Sequence, residues 1–189
     1  MPEQDPLERL RYPVGRMLRH PDPLDPATRE EHLSILERAP ARFRALSNGL
    51  TESDLEQRYR PGGWTVRQVF HHVPDSHMNA YIRMKLAATE DTPHIKTYDE
   101  ERWAELDEAR VGPIDMSLRL LEALHPRWLA FLRSLSGVDL RRPFVHPEWN
   151  VVTIDEAIVF YSWHCRHHAA HLEMALGKYE SGSRFPASR

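Results

Sequence analysis

The chain has one cysteine, no long apolar run and no surplus of positive charge, and each shortage closes a class of explanation. Cys165 alone cannot form an intrachain disulfide, which fits a reducing cytoplasm. No stretch approaches the about 18 apolar residues of a membrane-spanning helix. The opening Met-Pro-Glu-Gln-Asp-Pro has neither the basic start nor the apolar run of a secretion signal. With 25 Lys and Arg against 28 Asp and Glu the formal net charge is -3, so neither nucleic acid nor an anionic membrane is an expected partner. Windows of strand-like alternation are scarce, and the Val151-Val152 pair is too short to count as a strand. What remains is a cytoplasmic globular protein of 189 residues, 41% hydrophobic and 28% charged, with enough apolar material for one real core.

Histidine is what the chain has in plenty. There are twelve, and many fall in two knots, His71/His72/His77 and His164/His167/His168/His171. Closing the gap between the knots requires tertiary structure. In the second knot His164 and His168 stand one helical turn apart, so both imidazoles can reach one point beside the helix. Two neutral nitrogen donors at that spacing suit a divalent transition metal. A third from elsewhere makes a three-histidine site with an open position, which is the catalytic pattern for zinc. The competing reading is a solvated histidine patch near a C-terminus.

The local signals describe helices. Residues 1–26 are proline-rich and aperiodic and read as an irregular N-terminal arm. Residues 27–177 hold four helix-length segments, and residues 178–189 read as a flexible tail. The first segment opens at a Thr28-Arg-Glu-Glu31 capping box and runs towards Asn48-Gly49, with Pro40 predicting a kink or break. The second opens at the Thr65-Val-Arg-Gln68 capping box and reaches about Thr89. The third begins near Asp115, carries Leu118, Leu121, Leu124, Trp128 and Leu132, and ends before Gly137. The fourth opens at Thr153-Ile-Asp-Glu156, a third capping box, and ends at Gly177. The expected fold is an all-α four-helix bundle with long connections. The span between the second and third segments is long enough to hold a short helix at Tyr98–Trp103.

Helical periodicity sorts the histidines. On the fourth segment Ile154, Ile158, Tyr161, Cys165, Leu172 and Ala175 step by three and four, and His168 fills the vacant place in that series. At about 100° per residue His164 lies about 40° away, with His171 and His167 further round the same side, so His164/His168 is the pair nearer the core. A single satisfied core histidine is the competing reading of His168; His164 beside it favours a metal, because two buried imidazoles without partners cost free energy. On the second segment periodicity leaves His72 and His77 about even, with Pro74 between them, while His71 points away.

These motifs have a familiar order. Gly63-Trp64-Thr65-Val-Arg-Gln-Val-Phe-His-His72, Asp75-Ser-His-Met-Asn79, Tyr98-Asp-Glu and Trp163-His164 with His167-His168 together resemble the YfiT branch of the DinB-like superfamily. Tyr12-Pro-Val-Gly15 and Tyr59-Arg-Pro-Gly-Gly-Trp64 are similar to that branch as well, so the resemblance runs from about Tyr12 to Leu176. It implies a four-helix bundle holding one metal, zinc or nickel, through His72, His164 and His168, with water completing the shell. It thereby decides for His72 over His77. It also implies a homodimer and metal-dependent hydrolysis, or transfer of a low-molecular-weight thiol such as bacillithiol or mycothiol. Pro74 departs from the branch, which usually has a small helix former there.

Other residues weigh less. A cation with three neutral ligands keeps its charge and supports either chemistry on a small-molecule substrate, and a non-catalytic metal-binding bundle is the remaining alternative. No His-Glu-x-x-His motif supplies a general base; Asp75 and Glu173 are candidates by proximity, although a solvated helix face is the commoner fate of a carboxylate. Cys165 reads as a small core residue rather than a fourth ligand. Glu122-x-x-His125 has di-iron spacing but occurs once. Trp103, Trp128 and Trp163 read as core and loop anchors, and Arg141-Arg142 is too short for a nucleic-acid patch.

Overall fold

The computed structural model describes residues 6–20 and 23–179. In chain order the elements are α1 (Pro6–Arg11), α2 (Pro26–Ser47), α3 (Glu52–Leu55), α4 (Val66–Thr89), α5 (Glu100–Ala104), α6 (Asp107–Val111) and α7 (Ile114–Ser134). A 3-10 turn at Asp139–Arg141 leads to β1 (Pro143–His146), β2 (Asn150–Thr153) and α8 (Ile154–Ala175). The four long helices α2, α4, α7 and α8 form the bundle, with α2 and α4 each packed on both α7 and α8. Leu36, Phe43, Met84, Trp128, Ile158 and Leu172 fill its centre and are fully buried. Among the described residues no helix is long and apolar enough to cross a membrane.

Helix starts follow local chemistry, with two departures from expectation. At α4 the capping box is complete: Thr65 Oγ1 accepts from Gln68 N–H while the Gln68 side chain accepts from Thr65 N–H. Helix α2 instead begins at Pro26, two residues before Thr28. Its cap is Asp25, whose carboxylate accepts from the amides of Ala27 and Thr28 and from the Thr28 hydroxyl. Pro26 then suits the first helical position, where no N–H is needed. At α8 Thr153 Oγ1 accepts from Glu156 N–H, but the Glu156 carboxylate is taken by Arg19 and leaves the box half made. Neither Pro40 nor Pro74 interrupts its helix.

The connections are more ordered than their composition suggests. The span after α4 holds α5, capped by Asp99, and α6. The Val151-Val152 pair does belong to a strand. β1 and β2 pair antiparallel from Pro143↔Thr153 to His146↔Asn150, and Asn150 takes a left-handed backbone (φ 59°) at the tight reversal. Val151 faces out and Val152 in, so the alternation spans only four residues. This ribbon delivers the chain directly into the Thr153 cap of α8.

The N-terminal arm carries α1 and is pinned to α8 rather than being irregular throughout. Trp163 Nε1 donates to the Gly15 carbonyl (2.9 Å), and Arg19 forks onto Glu156 (2.6 and 2.9 Å). Tyr179 donates to the Pro13 carbonyl (2.9 Å); the rest of the expected tail lies outside the described residues. Where the arm meets α2, Arg29 pairs through two nitrogens with Asp155 (2.7 and 2.9 Å), a carboxylate only 1% exposed. Arg29→Leu leaves that buried charge without its partner and is expected to lower stability by about 3–5 kcal/mol. Urea denaturation of the two proteins measures this; a loss under about 1 kcal/mol would contradict it.

Candidate metal centre

Helices α4 and α8 pack side by side in the bundle, and His72 of the first knot meets His164 and His168 of the second where they touch. The turn before α4 brings aromatic cover to the spot. Gly62 has a positive φ (67°), and a Cβ on Gly63 would stand 2.8 Å from Arg60 Cγ and 3.2 Å from the Arg60 carbonyl oxygen. Glycine at both positions lets the chain fold tightly enough to lay Trp64 beside His72 (ring centroids 4.5 Å) and near His168 (6.4 Å).

The structure brings His72, His164 and His168 together. One ring nitrogen from each lies within 4.8 Å of the other two, and all three side chains are buried. His72 Nε2 is 3.3 Å from His164 Nε2. Two nitrogens each about 2.0–2.1 Å from one tetrahedral ion would stand about 3.3–3.4 Å apart, so this spacing fits an ion between them. His168 completes the group with its centroid 4.8 Å from His72 and 4.3 Å from His164. Its Nδ1 is buried with no hydrogen-bond partner among the described residues. The donor set is neutral. Burial, and then the neighbouring His171, hold His72 down to about 3, while burial and the surrounding histidines hold His164 and His168 well below the ordinary value.

His77 is fully buried but sits on the other side of His164, with its Nε2 3.1 Å from His164 Nδ1 and its Nδ1 2.8 Å from His125 Nε2. Several expectations change. His167 and His171 are buried: His167 stacks on Trp163 (4.3 Å), and His171 stacks on Tyr59 (3.8 Å) and donates from Nε2 to the Arg11 carbonyl (3.2 Å). The arm and the turn before α4 cover a side of α8 that a bare helical wheel leaves open. With His168 these two form a second histidine group within 4.8 Å. His71 is buried too, against Ser117 and the Gly112 carbonyl beside α7.

Neither candidate base points into the site's cavity. Burial, aided by Glu108, pushes the Asp75 carboxyl up to about 6, yet Asp75 is not among the cavity's lining residues. Glu173 is buried rather than solvated and ion-paired with Arg42. Cys165 is fully buried, its thiol pushed up by desolvation, as befits a core residue. Glu122 pairs with Arg44 at the surface while His125 turns into the core, so they do not act together. Trp128 is core and Trp163 anchors the arm, whereas Trp103, against Tyr98, is 36% exposed.

The three histidines border a cavity of about 780 Å³. Trp64, Tyr98, Phe160, Tyr161 and Trp163 contribute aromatic walls, and Arg11, Arg58, Arg60 and Arg83 bring positive charge. Glu100, Glu101, Glu105 and Glu148 also line it. Phe160, Tyr161 and Trp163 come from α8 and Arg83 from α4, while the other wall residues come from the arm, the turn, α5 with its flanks and the ribbon, which no single spacing in the sequence joins.

Similarity to known proteins agrees with this architecture. The pattern of the DinB superfamily matches residues 35–172. YfiT of Bacillus subtilis (strain 168), provisionally named a metal-dependent hydrolase, is 42% identical over 164 residues, 86% of this chain and 92% of its own length. A relative with a similar name from Oceanobacillus iheyensis is 50% identical over 142 residues, covering 75% of this chain and 82% of its own. The solved structure of YfiT, described as an unusual four-helix bundle topology, superposes with a TM-score of 0.85 at 41% identity over 89% of this chain and 98% of that one. A mycothiol-dependent maleylpyruvate isomerase shares the fold at 17% identity and a TM-score of 0.62, over 79% of this chain and 67% of that one.

The buried neutral histidines make stability depend on pH. Burial lowers His72 to about 3 and His125 and His171 to about 4, against an ordinary value of 6.5. Below about pH 6.5 the unfolded chain therefore binds protons that the folded chain does not. Stability is full above that pH and is lost as pH falls through the window towards 4, by about 1.4 kcal/mol per pH unit for each such histidine. Thermal melts of the metal-free protein should shift down steadily from about pH 7 to about pH 5. A flat melting temperature over that range would contradict neutral burial.

Proposed function

The chain belongs to the DinB superfamily, and from that membership we propose that it is a metal-dependent hydrolase whose ion is held by His72, His164 and His168. The observation that carries the reading is the convergence of three buried, uncharged imidazoles at the edge of a large cavity. Zinc suits this donor set best and nickel also fits. A divalent ion bound there supplies Lewis-acid charge for an acyl oxygen and lowers the pKa of water.

The chain's own residues supply the rest. Three neutral ligands cancel none of the cation's charge. Trp64 crowds the donor set on the His72 and His168 side and keeps water from that flank. Phe160 and Tyr161 pack on His164 (5.8 and 5.7 Å) and restrict how its ring can turn. The cavity's four arginines are matched by four glutamates, so its wall offers a substrate contacts of both signs. An open cavity beside the donors is the arrangement of a reactive site rather than of a closed structural one.

Thiol transfer is the second reading. The cavity is roomy, and its mixed charged and aromatic lining offers contacts to a low-molecular-weight thiol, bacillithiol or mycothiol, beside an electrophile. The ion's charge would favour the thiolate. One set of assays separates the two. Ester and amide hydrolysis, abolished by a chelator, restored by zinc or nickel and absent in His164→Ala, is the expected result. Conjugation that requires bacillithiol or mycothiol, without hydrolysis in its absence, would replace the first reading by the second. Chelator-insensitive activity would contradict both.

A further inference from the structure

Two buried histidines outside the proposed ligand set, His77 on α4 and His125 on α7, connect His164 to the main chain of α2. His125 Nδ1 lies 2.6 Å from the Leu36 carbonyl oxygen, His125 Nε2 lies 2.8 Å from His77 Nδ1, and His77 Nε2 lies 3.1 Å from His164 Nδ1. His77 and His125 are fully buried and His164 is 5% exposed. Trp128 packs against both His77 and His125 (5.7 and 5.6 Å).

The direction of each bond follows from the first. A carbonyl oxygen can only accept, so His125 Nδ1 carries a hydrogen. A neutral imidazole has one N–H, which leaves His125 Nε2 as an acceptor and makes His77 Nδ1 the donor to it. His77 Nε2 must then accept, and His164 Nδ1 must donate. Cys165 Sγ, 3.9 Å from His77 Nε2, is consistent with that polarity because a thiol can donate there. A cation anywhere in the chain would reverse bonds below it, but no carboxylate is bonded to these three rings among the described residues, and an uncompensated charge in this apolar setting is costly. The end of the chain is His164 Nε2, left bare. That is the nitrogen standing 3.3 Å from His72 Nε2.

We propose that Leu36 C=O, His125 and His77 form a positioning relay that locks His164 in its Nδ1–H tautomer and aims the Nε2 lone pair at the metal. The proposal rests on the three-histidine reading of the site. His77 and His125 are positioning residues: they touch neither ion nor substrate and act through His164, as outer partners of metal-bound histidines generally do. The relay also explains why a second histidine of α4, equal to His72 on the helical wheel, is buried without joining the ligand set.

The test has two readouts. In the metal-free parent protein, nitrogen-15 NMR of the imidazoles should show Nδ1–H and bare Nε2 at His164, His77 and His125. Zinc competition titrations should show His77→Leu weakened by about 10–100-fold, the usual effect of losing an outer partner. His77→Gln, whose amide can accept from His164 and donate to His125, should stay within a few-fold of the parent. Hydrogen on His164 Nε2 in the metal-free parent, or parent-like zinc affinity in a folded His77→Leu, overturns the relay. The parent spectrum decides even if His77→Leu fails to fold. The ligand reading is checked alongside: undiminished zinc affinity in His168→Ala overturns the ligand set and the relay with it, whereas a weakened His168→Ala with the wrong tautomer at His164 overturns the relay alone.

Discussion

An imidazole buried without charge loses free energy for every ring nitrogen left without a partner, and this cost organises the interior of the bundle. His71, His72, His77, His125, His164, His167, His168 and His171 are all buried. Some are satisfied by the protein itself: His71 by Ser117 and the Gly112 carbonyl, His125 by Leu36 and His77, whereas His171 meets the Arg11 carbonyl with one nitrogen and has no partner for the other among the described residues. Where His72, His164 and His168 meet, the protein offers nitrogens facing nitrogens. Lone pairs converging on one point are unfavourable alone and favourable around a cation. The metal reading is the resolution of that conflict.

The rest of the molecule holds the conflict in place. Thr65 and Thr153 start α4 and α8 at fixed residues, so each histidine's direction follows from its count along the helix. The glycine turn before α4 and the N-terminal arm then close over the exposed flank, bringing Trp64, Tyr59 and Tyr12 against the histidine side chains. The arm is held by polar contacts to α8 and by the Arg29–Asp155 pair where it enters α2. A bundle of four helices alone would leave His167 and His171 to solvent; the arm makes them interior.

Much of this was legible in the sequence, and the reason differs by element. The four long helices, the cap of α4 and the i,i+4 pair His164/His168 are local properties that a helix expresses wherever it is placed. The choice of His72 over His77 was not local. The wheel left it even, because both rings point towards the core, one to the cavity side of His164 and one to the α7 side. His71, read as pointing away, and His167 and His171, placed further from the core than His164 and His168, are all buried for a related cause: the faces they occupy are covered by α1, by the glycine turn and by α7, which no periodicity reports. Thr28 fooled the capping pattern because Asp25-Pro26 makes a better start three residues earlier. Glu173 lies on a face that Arg42 of α2 covers, again a tertiary fact. The strands were missed because four residues carry too few alternations to read.

The central claim is that one ion sits between α4 and α8 on His72, His164 and His168. Anomalous diffraction at the zinc edge, from crystals of the protein loaded with zinc, tests it most directly. The account predicts a single strong peak about 2.0–2.1 Å from His72 Nε2, His164 Nε2 and a ring nitrogen of His168. A peak among His167, His168 and His171 without His72, or zinc bound to His77 in place of His72, would contradict it.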